Sequence, residues 1–290
     1  MDKFVEVIEK IFGVLGYDIY DNFVKVYFDG HRKRIEFKME NEMLIKKKIL
    51  ESDNLSLEQK AEVNFILSKN LKAFMRELNI LGIAIDNMDD DANVDNLDED
   101  WLLDFFDKAA KLGNEYSQQL WAKMLSYAAS NKEICSKSLL HSLFLMGRED
   151  ILCFSSICKY TLVKMNANKD SDKIAAYPMI YFKRDAKSYN NHGITSFRLN
   201  NLQRLGLIEV NFSSEYVFSA KQMKLRYGNK LIEVECDDKI KIGNVRFTHD
   251  GYLLYQMTER TYEQRLVDAI IEIWGIRKYR IFINGKRVNI

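Results

Sequence analysis

The chain contains the segment Asn96-Leu-Asp-Glu-Asp-Trp-Leu-Leu-Asp-Phe-Phe-Asp-Lys-Ala-Ala110, and Tyr116-Ser-Gln-Gln-Leu-Trp-Ala-Lys-Met-Leu125 follows it. In both segments the apolar residues recur at three- and four-residue spacing, which is typical of amphipathic helices. A short Gly113-Asn114 break separates them, and such a connection forces two helices to pack as close neighbours. The two segments therefore predict the centre of a helical bundle.

Further helices are predicted on both sides of this pair. A long helix over residues 55–83 is expected to begin near Ser56, because Glu58 and Gln59 follow as a plausible cap. Downstream, the periodicity predicts helices over residues 97–112, 115–129, 137–146 and 148–162. These four form a central helical domain, residues 95–165, and the acidic segment before it is expected to be an exposed connection.

The N-terminal part predicts a short helix followed by a β-hairpin. Apolar residues at helical spacing between Phe4 and Phe12 predict the helix. Residues 17–39 predict the hairpin, with Asp29-Gly30 at its turn and alternation on its second arm. With the long helix, these elements make an N-terminal region over residues 1–85.

The C-terminal part, residues 166–290, predicts an α+β domain after a polar boundary at Asn166. Ser196 is expected to cap a helix, and Thr248 a second one. Strand pairs are predicted around Gly228-Asn229 and around Asn284-Gly285. The whole chain is thus expected to be an α+β protein that is mainly α.

The net charge and its distribution along the chain bear on which partners the protein binds. Of the 290 residues, 47% are hydrophobic, and the net charge of +1 gives no general attraction to nucleic acid or membrane. The charge is uneven, however. Residues 86–107 contain ten acids and no Lys or Arg, whereas residues 183–230 contain nine basic residues and three acids. Acids at positions 98–100 suit the first turn of a helix, so capping is favoured over a metal site.

Cysteine and histidine usage predicts an ordinary cytoplasmic protein. The four cysteines form no Cys-x-x-Cys pair, which favours a reducing compartment without disulfides. The four histidines are scattered singly, so no zinc site is expected. No Gly-x-x-x-x-Gly-Lys-Ser/Thr or Gly-x-Gly-x-x-Gly motif is present, so no cofactor is expected. Charges interrupt the apolar residues near the N-terminus, which argues against a signal peptide and against membrane contact.

The central motifs carry a resemblance to a known family. Asp100-Trp101-x-x-x-Phe105-Phe106, Gln118-x-Leu120-Trp121-Ala122-x-x-Leu125 and Ser136-x-x-x-Leu140 stand in order. They resemble a bacterial family of unknown function whose members lie beside abortive-infection and phage-defence genes. The resemblance implies a component of an antiviral defence system with protein partners encoded nearby. The aromatic residues themselves are interpreted as core packing.

A second pattern resembles the winged-helix domain. Leu202-x-x-Leu205-Gly206-Leu207-Ile208 is followed much later by Phe247-Thr248-x-x-Gly251-x-x-Leu254, with some forty residues inserted between the halves. On that analogy the helix at residues 196–203 would read the major groove of duplex DNA. Arg, Asn and Gln suit base edges, and lysines suit phosphates. The implied nucleic-acid-binding residues are Lys183, Arg184, Lys187, Arg198, Asn200, Asn201, Gln203 and Arg204.

One catalytic alternative remains open. Glu36-Phe-Lys38 on the second arm of the predicted hairpin has the Glu-x-Lys form of Mg²⁺-dependent nucleases, in which a carboxylate binds the metal and the lysine helps to activate water. A half-exposed strand with solvated charges explains the same residues, and the flanking Arg32-Lys-Arg34 favours that explanation.

The favoured function is a non-enzymatic binding or regulatory component of a phage-defence system. The alternatives are a DNA-binding regulator with a winged helix and a Mg²⁺-dependent nuclease. Its partners are expected to be proteins, with double-stranded DNA and a second copy of the chain left open.

Overall fold

The structure is a computed structural model that describes residues 47, 51, 56–88, 92–93, 97–130, 136–165, 175–182 and 186–288. Of residues 63–64, 66–67, 70–71, 74 and 186–188 it describes the backbone alone. The fold is α+β and mainly α, as predicted. The chain forms two compact units, Met1–Phe144 and Leu145–Ile290. The three-part division predicted from composition stays a prediction.

The first unit is helical where the structure describes it. Its helices are α1 (Leu57–Asp86), α2 (Glu99–Ala109), α3 (Glu115–Ser130) and α4 (Lys137–Leu145), which crosses the unit boundary. Ser56 and Gln59 form a reciprocal capping box at the start of α1, which confirms the predicted cap. Asp98 accepts a hydrogen bond from the Trp101 backbone N–H at 2.8 Å, so the acid cluster does begin a helix.

Aromatic rings fill the core between α2 and α3. Phe105 lies 5.1 Å from Trp101 and 4.8 Å from Trp121, measured between ring centroids, and all three side chains are buried. Offset and tilted ring pairs at such distances add to the free energy gained by removing apolar area from water. The predicted role of these residues as core packing is therefore confirmed.

The connection before α2 differs from the expectation of an exposed segment. Ala92 and Leu97 are buried, and the Asn93 N–H donates to the Ala129 carbonyl at 2.9 Å. Acids surround Ala92, which belongs to no periodic apolar pattern, so its burial was not predictable from the local sequence.

The second unit is mixed. Its helices are α5 (Arg148–Lys159), α6 (Ala186–Asn191), α7 (Ser196–Arg204), α8 (His249–Met257) and α9 (Gln264–Ile276). Its strands are β1 (Thr161–Lys164), β2 (Ala176–Pro178), β3 (Ile208–Val210), β4 (Val217–Phe218), β5 (Gln222–Tyr227), β6 (Lys230–Glu235), β7 (Ile240–Lys241), β8 (Val245–Phe247), β9 (Arg280–Ile283) and β10 (Lys286–Arg287).

Six strands form one antiparallel sheet in the order β10-β9-β6-β5-β1-β2. Residues alternate across it, so that Met223, Leu225 and Tyr227 of β5 lie in the core with Trp274 of α9. The opposite face of β5 is exposed. Two smaller antiparallel pairs, β3–β8 and β4–β7, complete the unit.

The predicted helix over residues 148–162 is too long. α5 ends at Lys159, and Leu162 lies in β1, paired with Tyr177 of β2. The Thr161 hydroxyl donates to the Ile157 carbonyl at 2.9 Å and so satisfies an acceptor in the last turn. The partners of β1 come from distant parts of the chain, which helical spacing in the local sequence cannot reveal.

The N-terminal helix and the β-hairpin predicted from residues 4–39 lie outside the described residues. Among the residues that the structure does describe, no helix has both the length and the apolar character that crossing a membrane requires.

The two cysteines of α5 are buried, and their burial predicts how they react with alkylating reagents. Burial raises the pKa of Cys153 to about 12, with the Asp150 charge raising it further and the Arg198 charge opposing it. Burial also raises the pKa of Cys158. Since the thiolate is the reactive form, only about one thiol in ten thousand is ionised at pH 8 when its pKa is near 12.

We therefore expect iodoacetamide at pH 8 to leave Cys153 and Cys158 unmodified in the folded protein and to modify both in urea. Peptide mass spectrometry resolves the two positions. Rapid alkylation of either thiol under native conditions would contradict its burial in the core.

Candidate nucleic-acid interface

In the second unit, α6, a short turn and α7 follow one another, which is the order of elements in a helix-turn-helix motif. Residues 192–195 connect α6 to α7, and Gly193 has φ +74°, a backbone conformation that side chains disfavour. The backbone N–H groups of Gly193 and Ile194 donate to the carbonyls of Asn190 and Tyr189, at 3.0 and 2.9 Å. A four-residue turn with a glycine is typical of this motif.

The cap of α7 differs from the prediction by one residue. Thr195, and not Ser196, is the N-cap, because its side chain accepts a hydrogen bond from the Arg198 backbone N–H at 3.3 Å. Two adjacent hydroxyl residues made the position ambiguous in the sequence. Thr195 is extended whereas Ser196 is the first helical residue.

One side of α7 is buried and the other faces solvent. Leu199 and Leu202 are buried, 1% and 0% exposed, and hold the helix on the domain. The outer side presents Phe197, 72% exposed, together with Asn200 and Arg204 at three- and four-residue spacing. We call these three residues the outer ridge of α7.

The sequence-predicted residues divide into three groups. Asn200, Gln203 and Arg204 are exposed, and Arg198 and Asn201 are half-buried. Lys187 belongs to α6, but its side chain is not described, and Lys183 and Arg184 lie outside the described residues. The exposed Phe197 was not among the predicted residues. Its spacing from Asn200 and Arg204 is the signal that identifies it.

Two of the predicted polar side chains have structural partners. Gln203 accepts a hydrogen bond from the Val210 backbone N–H of β3 at 3.0 Å. The Arg198 guanidinium lies 3.4 Å from the carboxylate of Asp150 on α5. Asp150 is 4% exposed and also accepts a hydrogen bond from the Gly147 N–H at 3.0 Å. Arg198 therefore anchors α7 on α5.

Replacing Asp150 by asparagine is expected to lower the free energy of unfolding by about 2 kcal/mol, because the half-buried Arg198 loses its charged partner. Urea denaturation measures the change. Glu149→Gln is the matched control, since Glu149 is the exposed neighbour on the same first turn. Equal stability of the two variants would contradict the anchoring role of Asp150.

Hydrogen bonds of Thr248 and an ion pair on the β3–β8 pair lie between α7 and α8. The Thr248 side chain accepts a hydrogen bond from the Gly251 N–H at 3.0 Å, which confirms the predicted cap of α8. The Thr248 hydroxyl also donates to the Gly206 carbonyl, 2.6 Å away, directly after α7. On the β3–β8 pair, Arg246 and Glu209 form an exposed ion pair opposite each other. These contacts join the end of α7 to the start of α8.

The basic residues beyond α7 are spread over the large sheet. Lys224 and Arg226 lie on the exposed face of β5, where Lys224 pairs with Glu233 at 3.1 Å. The exposed cation of the helix-turn-helix itself, among side chains that the structure describes, is Arg204. Within the described ranges, no group of three His, Cys, Asp or Glu side chains has an arrangement that could hold a metal ion. Glu36 and Lys38 lie outside those ranges.

The comparison with protein families decides the classification. The profile of the family described as "Protein of unknown function (DUF2806)" matches residues 69–271, from within α1 to within α9. The chain belongs to this family. The comparison with curated proteins and the comparison with solved structures each gave no match.

Within this DUF2806 chain, the central motifs have structural roles. Gln118 bridges three elements, since its amide nitrogen donates to the Leu112 carbonyl and its oxygen accepts from Asn79 of α1, both at 2.7 Å. Ser136 accepts a hydrogen bond from the Leu139 N–H at 2.9 Å at the start of α4, and Leu140 is fully buried. These motif residues therefore stabilise the fold, and the exposed polar side chains of α7 remain the best candidates for a binding site.

Proposed function

We propose that this chain is a non-enzymatic binding component that contacts double-stranded DNA through the outer ridge of α7. The observation that carries the proposal is the helix-turn-helix itself: α6, a glycine-containing four-residue turn, and an α7 helix that is anchored on one side and exposed on the other. Helix-turn-helix proteins place the second helix in the major groove with its N-terminal residues at the base edges.

The chemistry of the outer ridge fits a DNA groove. An exposed arginine such as Arg204 donates to guanine or to phosphate, and an amide such as Asn200 pairs with adenine. The exposed ring of Phe197 suits contact with a thymine methyl group. Phe197 is 72% exposed, and the Arg198 guanidinium lies 5.5 Å from the centroid of its ring.

The strands after α7 support the same proposal. β3 follows α7 after Leu205–Leu207, and β8 pairs with it antiparallel before α8 begins. This order resembles a winged helix in which residues 211–244, with four further strands, stand in place of a simple wing. Anchoring through Arg198–Asp150 and Gln203–Val210 keeps the ridge in one orientation, which lowers the conformational cost of binding.

The variant Asn200→Ala/Arg204→Ala tests the ridge directly. We expect its affinity for a pool of random 30-base-pair duplexes to be about tenfold weaker than that of the unmodified protein, since one charged and one amide contact are lost. Fluorescence anisotropy of the labelled duplex measures the affinity at low salt.

The matched control is Arg226→Ala/Asn229→Ala, which removes the same two residue types from exposed positions on and beside β5. Its affinity is expected to stay within about twofold of the unmodified protein, because phosphate and base contacts are local. An equal loss in both variants would place the contact elsewhere.

The phage-defence setting is a separate proposal that rests on the resemblance of the Trp101 and Trp121 motifs. Expression of the chain together with its neighbouring genes in a phage-sensitive strain tests it. Reduced phage plating supports a defence role with protein partners encoded nearby, and unchanged plating contradicts it.

A further inference from the structure

The second unit contains a cleft that the α7 ridge does not use. It has a volume of about 470 Å³ and lies among β2, the β3–β8 pair and the β4–β7 pair. Pockets of this size bury a large part of a small organic molecule. Side chains of four kinds line it: aromatic rings (Tyr177, Tyr216, Phe218, Phe247), the charged pair Glu209 and Arg246, the polar Thr248 and His249, and the small or aliphatic Ala176, Val217 and Ile242.

The walls of the cleft contain two ring contacts. Tyr177 and Phe218 make an edge-to-face pair with centroids 6.2 Å apart. The Arg246 guanidinium lies over the Tyr216 ring, 4.8 Å from its centroid. Burial raises the pKa values of Tyr177 and of Tyr216, so both phenols are neutral at physiological pH. Aromatic rings and guanidinium groups are side-chain surfaces on which flat heterocycles stack.

The charged pair leaves hydrogen-bonding capacity in the cleft. Arg246 uses Nε and Nη2 on a single oxygen, Oε2 of Glu209. The donor Nη1 of Arg246 and the acceptor Oε1 of Glu209 make no hydrogen bond to the described residues. One free donor and one free acceptor complement a ligand edge that carries both an acceptor and a donor.

The cleft is also preformed. The Tyr216 N–H donates to the Gly243 carbonyl at 2.7 Å, and the Ile242 N–H donates back to Tyr216 at 3.0 Å. Phe247 is buried against Phe154 and Tyr255, at 5.7 and 5.2 Å between centroids. Because backbone bonds and packed rings hold the walls, a ligand need not order them on binding.

We infer that this cleft binds a nucleobase, the flat nitrogen heterocycle whose edge alternates hydrogen-bond donors and acceptors. Arg246 Nη1 and Glu209 Oε1 bind the edge, and the aromatic rings that line the cleft contact the face. The inference is independent of the proposed DNA contact, because it uses none of the residues of the outer ridge.

Two other ligand chemistries fit less well. The carboxylate of Glu209 repels a phosphate or carboxylate ligand. An ammonium ligand would meet rings that already face cations, since Lys164 Nζ lies 4.8 Å from the Phe218 centroid and Arg246 lies over Tyr216. A neutral, flat molecule with hydrogen-bonding groups along its edge is compatible with both the aromatic walls and the charged pair.

Titration calorimetry of the whole chain with adenosine, guanosine, cytidine and uridine tests the site. We expect at least one nucleoside to bind saturably and Glu209→Gln to weaken it about tenfold, which is the size of one hydrogen bond to a charged group. Glu233→Gln is the matched control, because Glu233 also pairs with a cation across two strands but lies outside the cleft. It is expected to keep the affinity within about twofold.

A second variant tests the location without relying on the charges. Val217 lines the cleft and is 45% exposed, so Val217→Trp fills space with little cost to the fold. We expect it to abolish binding while the circular dichroism spectrum is unchanged. A single-stranded homotetranucleotide of the preferred base, titrated in parallel, distinguishes a free nucleoside from a base within a strand. Absence of saturable binding by all four nucleosides, or binding that Val217→Trp leaves intact, overturns the inference.

Discussion

Replacing Trp121 by alanine is expected to lower the free energy of unfolding by about 3–5 kcal/mol, the usual cost of removing a large buried ring. The indole is fully buried on α3, and its centroid lies 4.8 Å from that of Phe105 on α2. The neighbouring rings are packed against one another, so the space left behind cannot collapse easily. Urea denaturation followed by far-ultraviolet circular dichroism measures the change.

Two further variants, at positions 116 and 121, test whether the loss of stability comes from core packing. Tyr116→Ala, on the same helix at a position 52% exposed, is expected to change stability by less than about 0.5 kcal/mol. The Trp121 Nε1 atom is buried without a hydrogen-bond partner among the described residues, so Trp121→Phe also removes an unsatisfied donor. We expect that variant to cost about 1–2 kcal/mol. Equal losses in the alanine variants at positions 121 and 116 would contradict the packing of this core.

Replacing Gly251 by alanine is expected to lower the free energy of unfolding by about 3 kcal/mol or more, at the upper end of overpacking costs. A Cβ atom at Gly251 would lie 1.7 Å from the Leu207 carbonyl oxygen and 2.7 Å from its carbon. Those are backbone atoms of the connection between α7 and β3, so no side-chain rotation relieves the overlap. The same contact explains why a glycine stands in the Phe247-Thr248-x-x-Gly251 pattern.

His249→Ala is the matched control, because His249 is the exposed first residue of the same helix. Its stability is expected to stay within about 0.5 kcal/mol of that of the unmodified protein. Thermal and urea unfolding should both show the difference. A Gly251→Ala variant as stable as the control would mean that α8 does not pack closely on the α7–β3 connection.

Features that depend on near neighbours were predictable from the sequence. The capping box of Ser56 and Gln59, the Asp98 cap, the Thr248 cap and the turn at Gly228-Asn229 all depend on residues within three or four positions of each other. The burial of Trp101 and Trp121 followed from helical spacing for the same reason.

Features that depend on distant partners were not predictable. β1 pairs with β5 some sixty residues away, so its local pattern read as the end of a helix. The Arg198–Asp150 pair joins positions 48 apart, and it turns a predicted DNA-reading side chain into an anchor of α7. The aromatic cleft is assembled from residues on or beside four strands and from the start of α8, so no single segment of sequence indicates it.

The salt dependence of duplex DNA affinity tests whether α7 contacts DNA. We expect saturable binding of a 30-base-pair duplex at 50 mM salt and a progressive loss of affinity as salt rises to 200 mM, because phosphate contacts release bound counterions. The slope should fall by about one when Arg204 is replaced by alanine, since one cation contact is removed. Absence of duplex binding at 50 mM salt, or an affinity that does not change with salt, would contradict DNA binding through α7.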